Sequence, residues 1–266
     1  MLGLEYALWD AVFGQSDKYD RSPLGVVEVA RLREFAGQSA SWIVFDVATE
    51  VAADGGRLST CPIQAGGAER PVMGNRMNYD LQDSDLSTIL AEASLVADET
   101  KRVFGRLSGE QVNWKSSERE WSIGQCFDHL IISNRPYVQI FEEILAGRRR
   151  QRVWERMPLL PGVFGRLLIN TLRPDSGRKV KARPAFHPSS SHIAPAILAT
   201  FLEQQERLLR LMEASRELDL DGTTITSPVL RFVTYSLMDA CRIIVVHEQN
   251  HVVQATRVLE AQGVPG

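Results

Sequence analysis

The sequence predicts an all-α protein: a four-helix bundle with a long crossover between its second and third helices, preceded by an N-terminal segment of poorly defined structure. Three observations carry that expectation. Past residue 84, apolar residues recur at helical spacing in four long stretches. Two of those stretches open on a capping serine with a polar partner three residues on, Ser122 with Gln125 and Ser236 with Asp239. Residues 147–192, between the second stretch and the third, hold no sustained pattern, so the chain has room for a topology other than simple up-down-up-down.

Taken in order, residues 1–80 read as an extension or linker and 81–266 as the helical domain. In the extension, PLGVVEVARLREFA (23–36) suits one helix with Pro23 near its first turn, and SWIVFDVATEV (41–51) suits a strand or a helix. The Gly- and Pro-rich run that follows reads as linker. Met73 and Met77 stand just ahead of the helical pattern, where translation could also begin. The first long helix is expected over about 84–108, with Leu86, Ile89, Ala93, Val96, Thr100 and Phe104 in its stripe and Gly109 ending it. The second runs from Ser122 to about 145, with Trp121 stapled against residue 126 and Pro136 a kink site.

The crossover is basic. From 147 to 183 it carries eleven Arg and Lys against Glu155 and Asp175, a net of +9, with a short helix over VFGRLLINTL (163–172). Such a run can meet an anionic ligand, a membrane surface or a partner; the simpler reading is a solvated crossover in a chain that balances its charge elsewhere. The third helix covers about 193–216, with Glu203–Arg207 and Glu206–Arg210 as i,i+4 pairs. After the loop LDLDGTTITSP, the fourth runs from Ser236 to about Ala261.

Composition excludes more than it proposes. A net charge of −3 gives no electrostatic case for nucleic acid. No apolar run is long enough to span a membrane, and the first residues carry acids where a signal peptide would be basic. Three scattered cysteines, Cys61, Cys126 and Cys241, fit a reducing compartment, so the expected location is the cytoplasm.

The chemistry lies in HEQNH, residues 247–251, which fits the H-E-x-x-H pattern of zinc peptidases. The longer peptidase pattern fails, because Gln254 and Arg257 stand where Gly and His are needed. Glu260 is on the same helix, about 13 Å along its axis, too far to close a site. A third ligand therefore has to come from upstream. His247 and His251 share a helix side with Ala240, Ile244, Gln254 and Val258, expected to face the core. Two buried imidazoles without a partner each cost about 1–3 kcal/mol, and a metal is their natural partner.

His187 and His192 lie in FHPSSSHI, expected near solvent, whereas His129 is inside the second helix. If the second and fourth helices are neighbours, His129, His247 and His251 form a three-histidine site suited to zinc, nickel or iron. Glu248 is about 100° round the helix from His247 and is expected at the surface or behind the ligands, not as a general base. Cys126 is expected to be a packed core thiol.

WSIGQCFDHL, followed far downstream by HEQNHVVQATRVL, resembles the DinB/YfiT-like superfamily of metalloenzymes, over about residues 82–262. KARPAFHPSS and SRELDL share its flavour. The resemblance implies a four-helix bundle, His129, His247 and His251 as metal ligands, and a homodimer. It also implies, for members of known activity, a thiol-dependent transferase or isomerase using mycothiol or bacillithiol on a small-molecule substrate. In such chemistry the metal lowers the pKa of a low-molecular-weight thiol, and the thiolate attacks an electrophile. Gln254 is the expected catalytic side chain, within reach of the metal-bound group or of the outer nitrogen of a ligating histidine. The alternative is a non-catalytic metal-binding or interaction bundle in which Gln254 or Cys126 closes the coordination, and a third reading has no metal at all.

Overall fold

The computed structural model describes residues 77–266 apart from 153–154, 156–160, 177–181, 183, 231–232, 262 and 266. The helix expected at 23–36, the apolar run at 41–51 and the Gly/Pro-rich linker lie outside the described residues. The described part is mostly helical: α1 Leu86–Phe104, α2 Gly109–Asn113, α3 Ile123–Leu145, α4 Pro161–Leu172, a 3-10 turn Pro184–Phe186, α5 Ile197–Ala214 and α6 Leu237–Leu259, with two short strands, β1 Thr224–Thr226 and β2 Thr234–Ser236. No helix among the described residues is long and apolar enough to cross a membrane.

Local chemistry sets the boundaries. Asp85 caps α1 by accepting from the Thr88 N–H at 2.8 Å, and Lys101 and Arg102 in the last turn complement its dipole. The helix ends four residues before the expected 108, because a second capping box follows: Ser108 and Gln111 satisfy each other's backbone N–H groups. Gly109, expected to end the first helix, instead begins α2. Ser122 and Gln125 form the predicted box at the start of α3, which continues through Pro136 to Leu145. Ser236 caps α6 as expected, accepting from the Asp239 N–H.

The fold departs from expectation after α5. Thr224–Thr226 pairs antiparallel with Thr234–Ser236, Ile225 opposite Tyr235, where the sequence reads as plain loop. Three residues per strand are too few for an alternating pattern to show. The hairpin runs straight into α6 and is pinned from the crossover: buried Glu155 accepts from the N–H and hydroxyl of Thr226 and pairs with Arg149 at 2.6 Å. Arg166 and Arg173 also meet carboxylates, those of Asp83 and of Asp80 and Asp175. The crossover charge is thus partly balanced within the described residues. On α5, Arg210 pairs with Glu206 as expected, but Arg207 reaches Glu142 of α3 instead of Glu203.

Each of α1 and α3 packs on both α5 and α6, and α4 lies on α6 and β2. The interior is two apolar clusters. One gathers Leu86, Ile89, Tyr137, Phe141, Leu208, Tyr235 and Ile244; the other gathers Val96, Phe104, Phe127, Phe201, Val252 and Ala255. Chain order through the clusters shows that α1 and α6 run one way and α3 and α5 the other, so the long crossover joins two parallel helices. Phe127 anchors the second cluster, its ring 5.3 Å from Phe104 and 5.1 Å from Phe201. Each such pair contributes about 0.5–1.5 kcal/mol beyond area burial.

A polar layer separates the clusters. Glu92, Asn134, Gln205, Glu248 and Gln249, from all four long helices, are buried there. Asn134 and Gln205 each donate to Glu248 at 2.7 Å, and Gln249 donates to Glu92 at 3.0 Å. Burial pushes the Glu248 carboxyl up to about 8, against the two amide donors that favour its charge. Of the two places expected for Glu248, the surface is therefore excluded, and its carboxylate meets Asn134 and Gln205 in the interior. Almost the whole circumference of α6 is covered, so the side turned away from the histidines is also interior.

Candidate metal centre

α3 brings His129 in its second turn to the side of α6 that carries His247 and His251, one turn apart. The Nε2 atoms converge: His129 to His247 is 3.2 Å, His251 to His247 is 3.1 Å, and one ligand atom from each of the three lies within 4.8 Å of the others. His129 is buried, whereas His247 and His251 are half-buried. The helix side expected to face the core does so at Ala240, Ile244 and Val258, but at the histidines it opens into a mouth.

The tautomer of His129 is set by the crossover. Its Nδ1 lies 2.6 Å from the carbonyl oxygen of Phe186, which can only accept, so Nδ1 carries the proton and Nε2 points inward as a lone pair. The rings hold one another edge to face, His129 to His251 at 4.6 Å and His247 to His251 at 4.7 Å between centroids. Burial is the first cause that lowers the basicity of all three, and each ring is lowered further by a neighbouring histidine. His251 is brought down to about 3 and His247 well below its ordinary value. The cluster is neutral at physiological pH, the state in which imidazole ligates a metal.

The donor set fits a divalent metal. A tetrahedral centre with bonds of about 2.0–2.1 Å holds its nitrogens about 3.3 Å apart, close to both Nε2 separations. Without an ion or a proton between them, adjacent lone pairs repel. Nδ1 of His251 is buried with no hydrogen-bond partner, so that ring is held by the stack of Trp121 and by the two neighbouring imidazoles. Among the described residues, no other group of three or more His, Cys, Asp or Glu side chains is arranged to hold an ion.

Other side chains frame the mouth. Trp121, read from sequence as a staple toward residue 126, stacks on His251 at 5.8 Å and 21° and lies 4.9 Å from His129. It touches the second cluster as well, so its position ahead of the cap makes it a wall of the site. Ser133, one turn beyond His129, places Oγ 3.4 Å from its Nε2 and is the hydroxyl beside the converging nitrogens. Its spacing from His129 was the signal for it. Gln254 is half-buried, and its side chain opposes the loss of basicity at His251. Glu248 faces the polar layer. Cys126 is fully buried, its thiol pushed up to about 12 by burial, and belongs to the core. His187 and His192 are exposed, as expected; His187 is near enough to His129 for its charge to lower that ring's basicity.

Comparison with known proteins adds the lineage. No curated protein and no solved structure matches the chain. A family model of the DinB superfamily matches residues 92–255, a span that runs from the polar layer of α1 through His129, His247 and His251 to Gln254. That match covers more than half of the sequence, and the chain belongs to the DinB superfamily.

Proposed function

We propose that the protein is a metal-dependent enzyme whose centre is a divalent ion held by Nε2 of His129, His247 and His251. The observation that carries this reading is the convergence of three neutral imidazoles at a mouth, with Nε2 atoms 3.1 and 3.2 Å apart. Membership of the DinB superfamily supports it, as does the reading of the four long helices as that superfamily's bundle. Zinc, nickel or iron suits the donor set.

The reaction we infer is a thiol-dependent S-transfer or isomerisation. The metal supplies Lewis acidity that stabilises a thiolate at neutral pH. The thiol proton leaves to solvent through the half-exposed side, and the sulfur forms its bond to an electrophilic carbon. In a transfer, the leaving group departs with the electron pair; in an isomerisation, a carbon–carbon π bond opens as sulfur adds, its electron pair moves onto a conjugated acceptor of the substrate, and after rotation that pair returns to re-form the π bond and expel the thiolate. Trp121 offers an apolar face to the substrate, and Ser133 and Gln254 offer hydrogen bonds to the reacting groups. By family likeness we read the protein as a homodimer acting on a small molecule, and by its three scattered cysteines as cytoplasmic. The test is a panel of low-molecular-weight thiols and electrophiles with metal-loaded protein. Turnover by one pair, lost in His247→Ala, is the expected result; background rates for every pair on a fully loaded centre would leave the alternative, a non-catalytic metal-binding bundle.

A further inference from the structure

The last stretch of the crossover lies along α3 as a strap, and polar contacts hold it. His129 donates from Nδ1 to Phe186, Asp128 accepts from the Ser189 N–H at 2.5 Å, and Gln125 donates to Ser190 at 3.0 Å. Asn113 exchanges two hydrogen bonds with Ile193, at 2.8 and 2.7 Å. Gly124 permits the close approach, since a Cβ there would meet the Ile193 side chain at 2.9 Å. Between its ends the strap has little apolar anchorage: Pro184, Ala185, His187 and residues 189–192 are exposed. Its position therefore depends on the side chains that grip it.

We infer that Asp128 is a positioning residue of the metal centre, acting through the strap on His129. This rests on the three-histidine reading above. Asp128 and His129 are neighbours on α3, and they grip residues only three apart on the strap. The carbonyl that fixes the tautomer and ring angle of His129 thus belongs to a segment whose adjacent N–H is held by a buried carboxylate. With that grip gone, the Ser189 N–H turns to water, the Phe186 carbonyl drifts, and the inward lone pair of His129 is no longer aimed. Groups behind metal ligands change affinity by about 10- to 100-fold when removed.

The experiment is Co(II) titration of the full-length protein against a competing chelator, read by affinity and by the visible absorption of the bound ion. Asp128→Ala should weaken binding by about 10- to 100-fold and alter the absorption band. Asp128→Asn, which keeps an oxygen acceptor without the charge, should restore most of both. Ser189→Pro removes the donated N–H from the other side and should match Asp128→Ala, which keeps the test open if that variant fails to fold. Phe141→Leu, a truncation in the other apolar cluster, gives the effect of lost stability alone. Wild-type affinity and spectrum in Asp128→Ala or Ser189→Pro, even with a lowered melting temperature, would overturn the positioning role and leave the three-histidine reading standing. Asp128→Asn as impaired as Asp128→Ala would assign the effect to charge and overturn the strap. No Co(II) binding by the wild type would overturn both.

Discussion

Nε2 of His129 and Nε2 of His247 lie 3.2 Å apart across α3 and α6, although 118 positions separate them in the chain. Neither ring is charged at neutral pH, because burial lowers the basicity of both. An ion between the lone pairs gives the contact a physical rationale.

Trp121 reports on the centre. Its ring stacks on His251, so an ion bound to that imidazole changes the field at the indole. Tryptophan emission should change on metal addition in the wild type, and the change should be lost in Trp121→Phe while metal stoichiometry is kept. An undiminished change in the variant would place the reporter elsewhere.

Cys126 is not a ligand. Its thiol packs in the second apolar cluster and is not among the side chains that converge on the site, and burial pushes it up to about 12. Cys126→Ala should hold the wild-type amount of metal, at a cost in stability of about 1 kcal/mol for the lost packing. Loss of metal in that variant would revive the closed, structural site.

Gln205 bears on the polar layer. It donates to Glu248 at 2.7 Å and to the Ala93 carbonyl at 3.2 Å, all within the interior. Gln205→Leu leaves both acceptors short of a donor and should destabilise the fold by about 1–3 kcal/mol in denaturant unfolding. An unchanged midpoint would mean that water replaces the amide there.

Glu92 gives a pH signature. Burial raises its folded pKa above the ordinary 4.5, against hydrogen bonds from the Asn78 N–H and Gln249. The folded state then holds this proton more tightly than the unfolded state does. Its contribution is full below pH 4.5 and falls as pH rises through the folded value. Glu92→Gln keeps an acceptor and removes the charge, so its melting temperature relative to the wild type should rise as pH is raised above the ordinary 4.5. A constant difference would contradict the burial argument.

The cluster of three histidines was legible because His247 and His251 repeat at one helical turn and His129 stands inside a stretch with an unmistakable cap. The capping boxes at Ser122 and Ser236 were legible for the same reason: they are local. What escaped was set by contacts distant in sequence. Glu92, Gln205 and Glu248 look like solvated polar positions, and they become interior only when four helices close around them. The Phe186 carbonyl that orients His129 is a backbone atom in an irregular segment, where periodicity carries no information. Trp121 packs on the cluster that holds Cys126, but its place over the imidazoles of His129 and His251 depends on a second helix that the local sequence does not reveal.

The most direct measurement is the metal content of protein purified without chelator or histidine tag, beside His129→Ala and His251→Ala. About one divalent ion per chain in the wild type, lost in both variants, is the predicted result. No metal in the wild type, even after reloading with zinc, nickel and iron, would contradict the account and leave the three imidazoles as core packing.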